Sequence, residues 1–241
     1  RVIWGLDTKV NANWTKGLFF AYGKNNAAGS NSKTDNLDFR CGFYTGYHKE
    51  AKAWNLYADY GLQHNTAVRY LPILGLKTDS HYHSKTLELG GEYKYDLDYN
   101  TERIWHASPY VKMQAVRYMQ EGYQEKGAGV FDQRVSSMQS NYIAGQAGVE
   151  LSQQNKQGGV TLKAGYKHVF TGDDPAETVA FTGADAALTV AGPHMDRNLL
   201  VLGISGWHRL DGNWVLDGKI EMERGARDKN IVGEVTVKHM W

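Results

Sequence analysis

Apolar and polar residues alternate along almost the whole chain, the period-two signature of strands whose two faces meet different surroundings. The clearest stretch spans residues 86–97, with Leu87, Leu89, Gly91, Tyr93, Tyr95 and Leu97 on one face and Thr86, Glu88, Gly90, Glu92, Lys94 and Asp96 on the other. Residues 213–224 repeat it: Trp214, Leu216, Gly218, Ile220 and Met222 alternate with Val215, Asp217, Lys219, Glu221 and Glu223. Residues 198–208 are ambiguous, because Leu199, Leu200, Val201 and Leu202 are apolar on both faces. Eleven runs predict strands at 1–10, 14–24, 36–49, 52–64, 84–97, 103–118, 135–152, 158–171, 197–208, 212–224 and 228–241. Many exceed ten residues, longer than the usual soluble strand and long enough to cross a bilayer when tilted.

A soluble barrel with an apolar inside and a membrane barrel with an apolar outside both satisfy this alternation. Loop lengths favour the second. Reading back from Trp241, the connections fall at 225–227, 209–211, 172–196, 153–157, 119–134, 98–102, 65–83, 50–51, 25–35 and 11–13; apart from the last hairpin, short and long ones alternate. Short periplasmic turns and longer extracellular loops are the habit of outer-membrane barrels. The expected fold is all-β, a transmembrane antiparallel up-and-down β-barrel in the bacterial outer membrane, with the C-terminus periplasmic and the long loops extracellular. Eleven strands would leave the termini on opposite sides, whereas single-chain bacterial barrels have an even number. The expectation is therefore twelve strands, the first preceding residues 1–241; a start at Arg1 without initiator Met or leader fits a processed or excised piece.

Composition narrows the class further. The 241 residues have a mean hydropathy of −0.54, and no run of eighteen apolar residues offers a membrane-spanning helix. A formal net charge of +1 argues against a nucleic-acid partner. Twelve per cent aromatic residues and 27 glycines against 4 prolines suit a large curved sheet. The single cysteine, Cys41, has no intrachain partner and reads as a small buried or lipid-facing apolar residue.

In a membrane barrel the charged faces must point inward, because a charge on the lipid face near midplane costs roughly 2–4 kcal/mol. The expected lumen lining is Asp38, Arg40, Asp59, Glu88, Glu92, Lys94, Lys112, Glu150, Lys163, Lys167, Asp217, Lys219, Glu221 and Glu223, with Asp7, Glu234 and Lys238 on the same pattern. Mixed signs on neighbouring strands predict cross-strand pairs and a hydrated pore in place of a selectivity ring. Trp4, Trp14, Trp54, Trp105, Trp207, Trp214 and Trp241 fall mostly near run ends, as an aromatic girdle requires. Gly42, Gly90, Gly145, Gly165 and Gly233 are expected to permit curvature or to receive a neighbouring ring. Loop 65–83, with Val68, Tyr70, Leu71, Ile73, Leu74 and Leu76, is expected to pack over the rim, with an external contact site or a lumen plug as the sharper reading; loop 172–196 is expected to form an external hairpin.

No metal or cofactor site is expected. His81 and His83 share a strand face, but their nearest carboxylate in sequence is Asp79. Ser205 lacks the Gly-x-Ser-x-Gly spacing of a nucleophile elbow. His106, His168 and His208 remain as components of a site assembled from separate strands, the basis for an alternative reading as a twelve-stranded outer-membrane phospholipase or protease; a passive porin is the third.

From Pro109 onward the chain resembles the translocator β-domain of bacterial autotransporters, type V secretion. The resemblance rests on Pro109-Tyr110 opening a strand that runs through Tyr118, then Gly122-Tyr123, Glu125, Gly127-Ala128-Gly129, Ser140 and Gly145 to Leu151. It continues through Ala164-Gly165-Tyr166, His168, Asp173-Asp174-Pro175, Phe181, Gly183, Gly192, Asp196-Arg197, Gly206 and the final aromatic, and more weakly before residue 105 through Gly5, Asp7, Gly42 and Gly46. It implies a monomeric twelve-stranded translocator and anchor, here residues 1–241 without its opening strand, linker or passenger, that helps export its own N-terminal passenger. The partners implied are outer-membrane lipids, the barrel assembly machinery and that passenger. Gly233, Val235, Val237, His239 and Trp241 are similar to the C-terminal assembly signal, although His239 stands where a Tyr or Phe is expected. The expectation is a non-enzyme, with autocatalytic passenger cleavage by Asp217, Glu221 or Glu223 left open.

Overall fold

The computed structural model describes residues 1–239 except Asp173, Pro175, Asp185, Pro193, Asp211 and Gly212. Its strands are β1 (Val2–Lys9), β2 (Trp14–Ala28), β3 (Ser32–Lys49), β4 (Lys52–Leu71), β5 (Leu76–Tyr95), β6 (His106–Gln120), β7 (Tyr123–Gln124), β8 (Gln133–Val135), β9 (Met138–Gln154), β10 (Gly158–Thr171), β11 (Ala176–Phe181), β12 (Ala187–Ala191), β13 (Asn198–Arg209), β14 (Trp214–Arg224) and β15 (Lys229–His239). Eleven of them form one antiparallel sheet in the order β1-β2-β3-β4-β5-β6-β9-β10-β13-β14-β15, each paired with its neighbour in the up-and-down sense. The sheet curls into an open half-barrel. Among the described residues β1 pairs only with β2 and β15 only with β14, so two edges border a seam.

The two faces of the sheet are inverted relative to a soluble protein. Asp38, Asp59, Thr86 and Gln146 are buried, whereas Leu18, Phe20, Phe43, Leu56, Leu89, Val111 and Ile220 are each about half exposed or more. The polar face is thus the concave one and the apolar face is the outside, which a soluble barrel would not tolerate and a bilayer would cover. Cys41 lies exposed on that outer face, between Phe39 and Phe43. On the side of the short turns Trp14 packs edge-on against Tyr47 and Trp54, with ring centroids 5.1 and 4.8 Å apart. The alternation of Trp207 places it on the concave face, outside any girdle.

Seats for rings explain some of the glycines. A Cβ on Gly90 would overlap the ring of Tyr57, and one on Gly148 would strike both the Ala164 carbonyl oxygen and the Tyr110 hydroxyl. Phe19 occupies the space beside Gly42, Phe170 beside Gly145 and Tyr110 beside Gly165, whereas Gly233 faces open space.

Two expected long loops are largely strand. The connection at 25–35 shrinks to residues 29–31, and 65–83 becomes the far end of the β4–β5 hairpin, paired without a break from Lys52↔Tyr95 to Leu71↔Leu76 around the 3-10 turn Pro72–Leu74. Beyond the apolar band both faces of the hairpin carry polar residues, with Asn65, Thr78 and Ser80 buried on the inward one, so alternation of apolar and polar fades although pairing continues. The β4–β5 hairpin therefore projects past the band as a wall and does not fold over the rim. Residues 121–126 continue the sheet beside it after β6 ends: Glu121 N donates to His83 O at 3.0 Å, and Lys126 and Asp79 exchange backbone bonds at 2.9 Å. A second sheet of order β12-β11-β8-β7 extends this wall, with β11 and β12 forming the hairpin expected within 172–196.

Candidate functional site

Strand parity brings the charged residues onto the concave face, and curvature lets long side chains reach over an intervening strand. Arg40 on β3 is the hub of the first cluster. Its Nε donates to Asp38 Oδ2 at 3.2 Å, and its Nη1 donates to Asp59 Oδ1 at 3.0 Å and Glu88 Oε2 at 3.3 Å. Glu88 Oε1 also accepts from the Tyr57 hydroxyl at 3.0 Å and from Gln114 Nε2 at 2.8 Å. Gln63 Nε2 joins Asp38 to Thr86, and Ser84 donates to Gln63 Oε1 at 2.8 Å.

A second cluster spans β5 to β14. Lys94 Nζ donates to Glu150 Oε2 at 2.7 Å and lies 3.1 Å from Glu92 Oε1. Lys163 sits 4.0 Å from Glu150 Oε1 and 3.3 Å from Glu221 Oε2, which Lys219 also approaches to 3.3 Å. Lys112 lies in the field of Lys163, Lys219, Glu92 and Glu221. Lys167 grips both oxygens of Glu223 at 2.9 and 3.0 Å. Tyr110, 2% exposed, is clamped between them: Lys163 stands 4.5 Å above its ring and Gln146 donates to its hydroxyl at 2.6 Å. Asp217 shares this face nearer the turns, while Asp7 on β1 and Glu234 and Lys238 on β15 flank the seam.

Sequence reading singled out the charges and missed Tyr57, Gln63, Tyr110, Gln114 and Gln146, the uncharged groups that connect them. Their parity is the same as that of the charges, and this was the available signal. Opposite charges interleave throughout, so the face offers hydration and mutual neutralisation and no single-sign ring. Glu221 and Glu223, named for cleavage, are each held by lysine.

The ends of the sheet are tied by charged turns. On the short-turn side Asp98 accepts from Ala107 N at 2.9 Å and Arg103 Nη1 at 2.8 Å, which hold its carboxyl below the usual range. There the His106 imidazole is raised above its ordinary value by its 2.9 Å contact with Asp96. On the loop side Asp196 Oδ2 accepts from the backbone of Arg227 at 2.6 Å and Asp228 at 2.8 Å, joining the β12–β13 connection to the β14–β15 turn. His168 bonds Asn198 at the far end of β10 from His106, so these histidines do not converge. Within the expected assembly signal Gly233, Val235, Val237 and His239 share the outward face of β15, with the His239 ring 4.6 Å from that of Trp214. Trp241 lies outside the described residues, as do Asp173 and Pro175 of the Asp-Asp-Pro motif.

Residues 1–221 match the Autotransporter beta-domain family. The chain belongs to that family. The β-domain is similar in fold to the translocator domain of autotransporter NalP from Neisseria meningitidis, with a TM-score of 0.82 at 15% identity over 98% of this chain and 79% of that one. It is also similar to the transport unit of AIDA-I from Escherichia coli, at TM-score 0.64 and 14% identity over 99% of this chain and 81% of that one. For the β-domain of the Bordetella autotransporter BrkA the values are 0.58 and 12%, over 98% and 88% of the two chains. No curated protein matches the chain by sequence. Family membership makes this β-domain an outer-membrane translocator domain of the type V pathway.

Proposed function

We propose that this β-domain anchors an autotransporter in the outer membrane and provides the hydrated conduit through which the passenger attached ahead of Arg1 reaches the cell surface. The observation that carries the reading is the inversion of the faces: a largely polar lining with opposite charges paired across strands inside an apolar exterior. Such a lining has water to offer a moving chain and few isolated charges to trap it. In this reading the projecting β4–β5 wall and the second sheet stand outside the cell, and the short turns and C-terminus stand in the periplasm. The outward face of β15, with Gly233, Val235, Val237 and His239, and Trp241 after it in the sequence, is the signal read by the barrel assembly machinery. A twelfth strand bridges the edges of β1 and β15, since open strand edges cannot face lipid; the closed barrel is a monomer. The work is mechanical, with no catalytic group assigned.

The test is surface proteolysis of intact cells expressing the complete reading frame. Sequence upstream of Arg1 is expected to become accessible to added protease only when the β-domain is present and inserted. Insertion of the β-domain with the upstream segment retained in the periplasm would refute passenger export.

A further inference from the structure

Beyond Leu62 the register of β4 and β5 sets His64 opposite His83 and Thr66 opposite His81, all on the outward face. The three histidines are exposed. In the sequence His81 and His83 present themselves as a pair, but the register gives His83 a partner across the strands: His64 Nδ1 and His83 Nε2 stand 3.1 Å apart, with ring centroids at 4.9 Å. Neighbours hold both rings. His81 stacks on His64 with 17° between the ring planes, and its own Nδ1 is 3.1 Å from Thr66 Oγ1. Glu121 Oε2 lies 3.5 Å from His83 Nδ1, the nitrogen turned away from His64.

Two imidazole nitrogens this close share either a proton or an ion. A metal 2.0–2.1 Å from each nitrogen sets its ligands about 3.3 Å apart at the tetrahedral angle and about 2.9 Å apart at a right angle. The observed 3.1 Å falls between the two, so a small turn of each ring aims both lone pairs at one ion. Glu121 stands where a ligating histidine is commonly supported, with a carboxylate at the ring nitrogen that does not touch the metal. Nearby lysines are already matched by carboxylates: Lys85 lies 3.8 Å from Glu121 Oε1, and Lys77 lies 3.1 Å from Asp79 farther out on β5. Among the described residues no three His, Cys, Asp or Glu side chains converge as a metal site, so the protein supplies two ligands here and water supplies the others.

We propose that His64 Nδ1 and His83 Nε2 form a two-imidazole chelate for a divalent transition-metal ion taken from the surrounding medium, with Glu121 orienting His83. Imidazole ligands select copper and zinc over magnesium and calcium. The bound ion clasps β4 to β5 just beyond the apolar band, a role independent of passenger export.

The experiment titrates the untagged protein, extracted from outer membranes in detergent, with copper(II) and reads the bound ion by electron paramagnetic resonance. The wild type is expected to take up one equivalent whose nitrogen couplings report two imidazoles, displaced by excess zinc(II) and not by magnesium. His64→Gln and His83→Gln, each checked for the wild-type heat-modifiable mobility on gels, should both lose the two-imidazole signal, whereas His81→Gln should keep it. Glu121→Gln should weaken binding about 10–100-fold, the usual effect of removing the group behind a ligating histidine, without changing the number of coupled nitrogens. A wild type with no two-imidazole signal overturns the proposal whatever the variants do. A signal that survives in the double variant His64→Gln, His83→Gln belongs to other histidines and overturns it too. Loss of the signal in His81→Gln alone would move the chelate to His81 and overturn the pairing of His64 with His83.

Discussion

Arg40→Gln removes the one cation that joins three carboxylates across β3, β4 and β5. Asp38 and Asp59 are only 7% and 6% exposed at the side chain and Glu88 17%, so water replaces little of the lost charge. Removing one partner of a buried ion pair costs about 3–5 kcal/mol; hydration of the concave face argues for the lower end, about 3 kcal/mol. Urea unfolding in phosphatidylcholine vesicles, followed by tryptophan fluorescence at neutral pH, should show the loss as a lower midpoint. Adding Asp59→Asn and Glu88→Gln to Arg40→Gln should recover most of it. An Arg40→Gln variant as stable as the wild type, or one that the two neutralising changes fail to rescue, would refute the network as a source of stability.

Gly148→Ala should destabilise the sheet by roughly 1–3 kcal/mol, as overpacking does, because its methyl would displace backbone at Ala164 and the Tyr110 hydroxyl; the same unfolding assay measures it. The His106–Asp96 contact raises the imidazole, so its stabilisation is complete below the ordinary value near 6.5 and is lost as pH rises through the folded value. His106→Gln should therefore flatten the pH dependence of hydrogen exchange in the 96–106 turn above pH 6.5. Asp98 behaves oppositely: its contribution is present above the ordinary carboxyl range and is lost as pH falls through its lowered folded value, so Asp98→Asn should matter at neutral pH and not in strong acid. Cys41, between Phe39 and Phe43 on the outer face, should resist a charged, membrane-impermeant maleimide in the inserted protein and react after denaturation; labelling of the inserted protein would place that face in water.

The wall strands were legible mostly because each crosses surroundings that differ on its two sides, as Leu87 and Glu88 show in adjacent positions; β13, apolar on both faces from Leu199 to Leu202, is the exception. Inside and outside were not assigned by that alternation alone; the burial of Asp38 and Asp59 beside exposed Phe39 and Phe43 assigns them. Residues 65–71 and 76–83 escaped because Asn65, Thr66, Thr78 and Ser80 stand beyond the band, where backbone pairing persists without an apolar stripe. β7 and β8 escaped for another reason, since two and three residues are too short to carry a period. On the concave face the charges were legible one strand at a time, but Lys94 meeting Glu150 and Lys167 meeting Glu223 depend on curvature across two strand spacings. The same dependence hid Tyr110, whose seat is made by glycines on β9 and β10.

The conduit itself can be tested by site-specific photocrosslinking in cells that express the complete reading frame with export slowed. A photoreactive residue at Arg40, Lys167 or Glu221 on the concave face should capture the segment preceding Arg1, while one at Phe43 or Ile220 on the outer face should capture lipid and no passenger. Crosslinks to the passenger from the outer positions, or from neither set while export proceeds, would contradict the account.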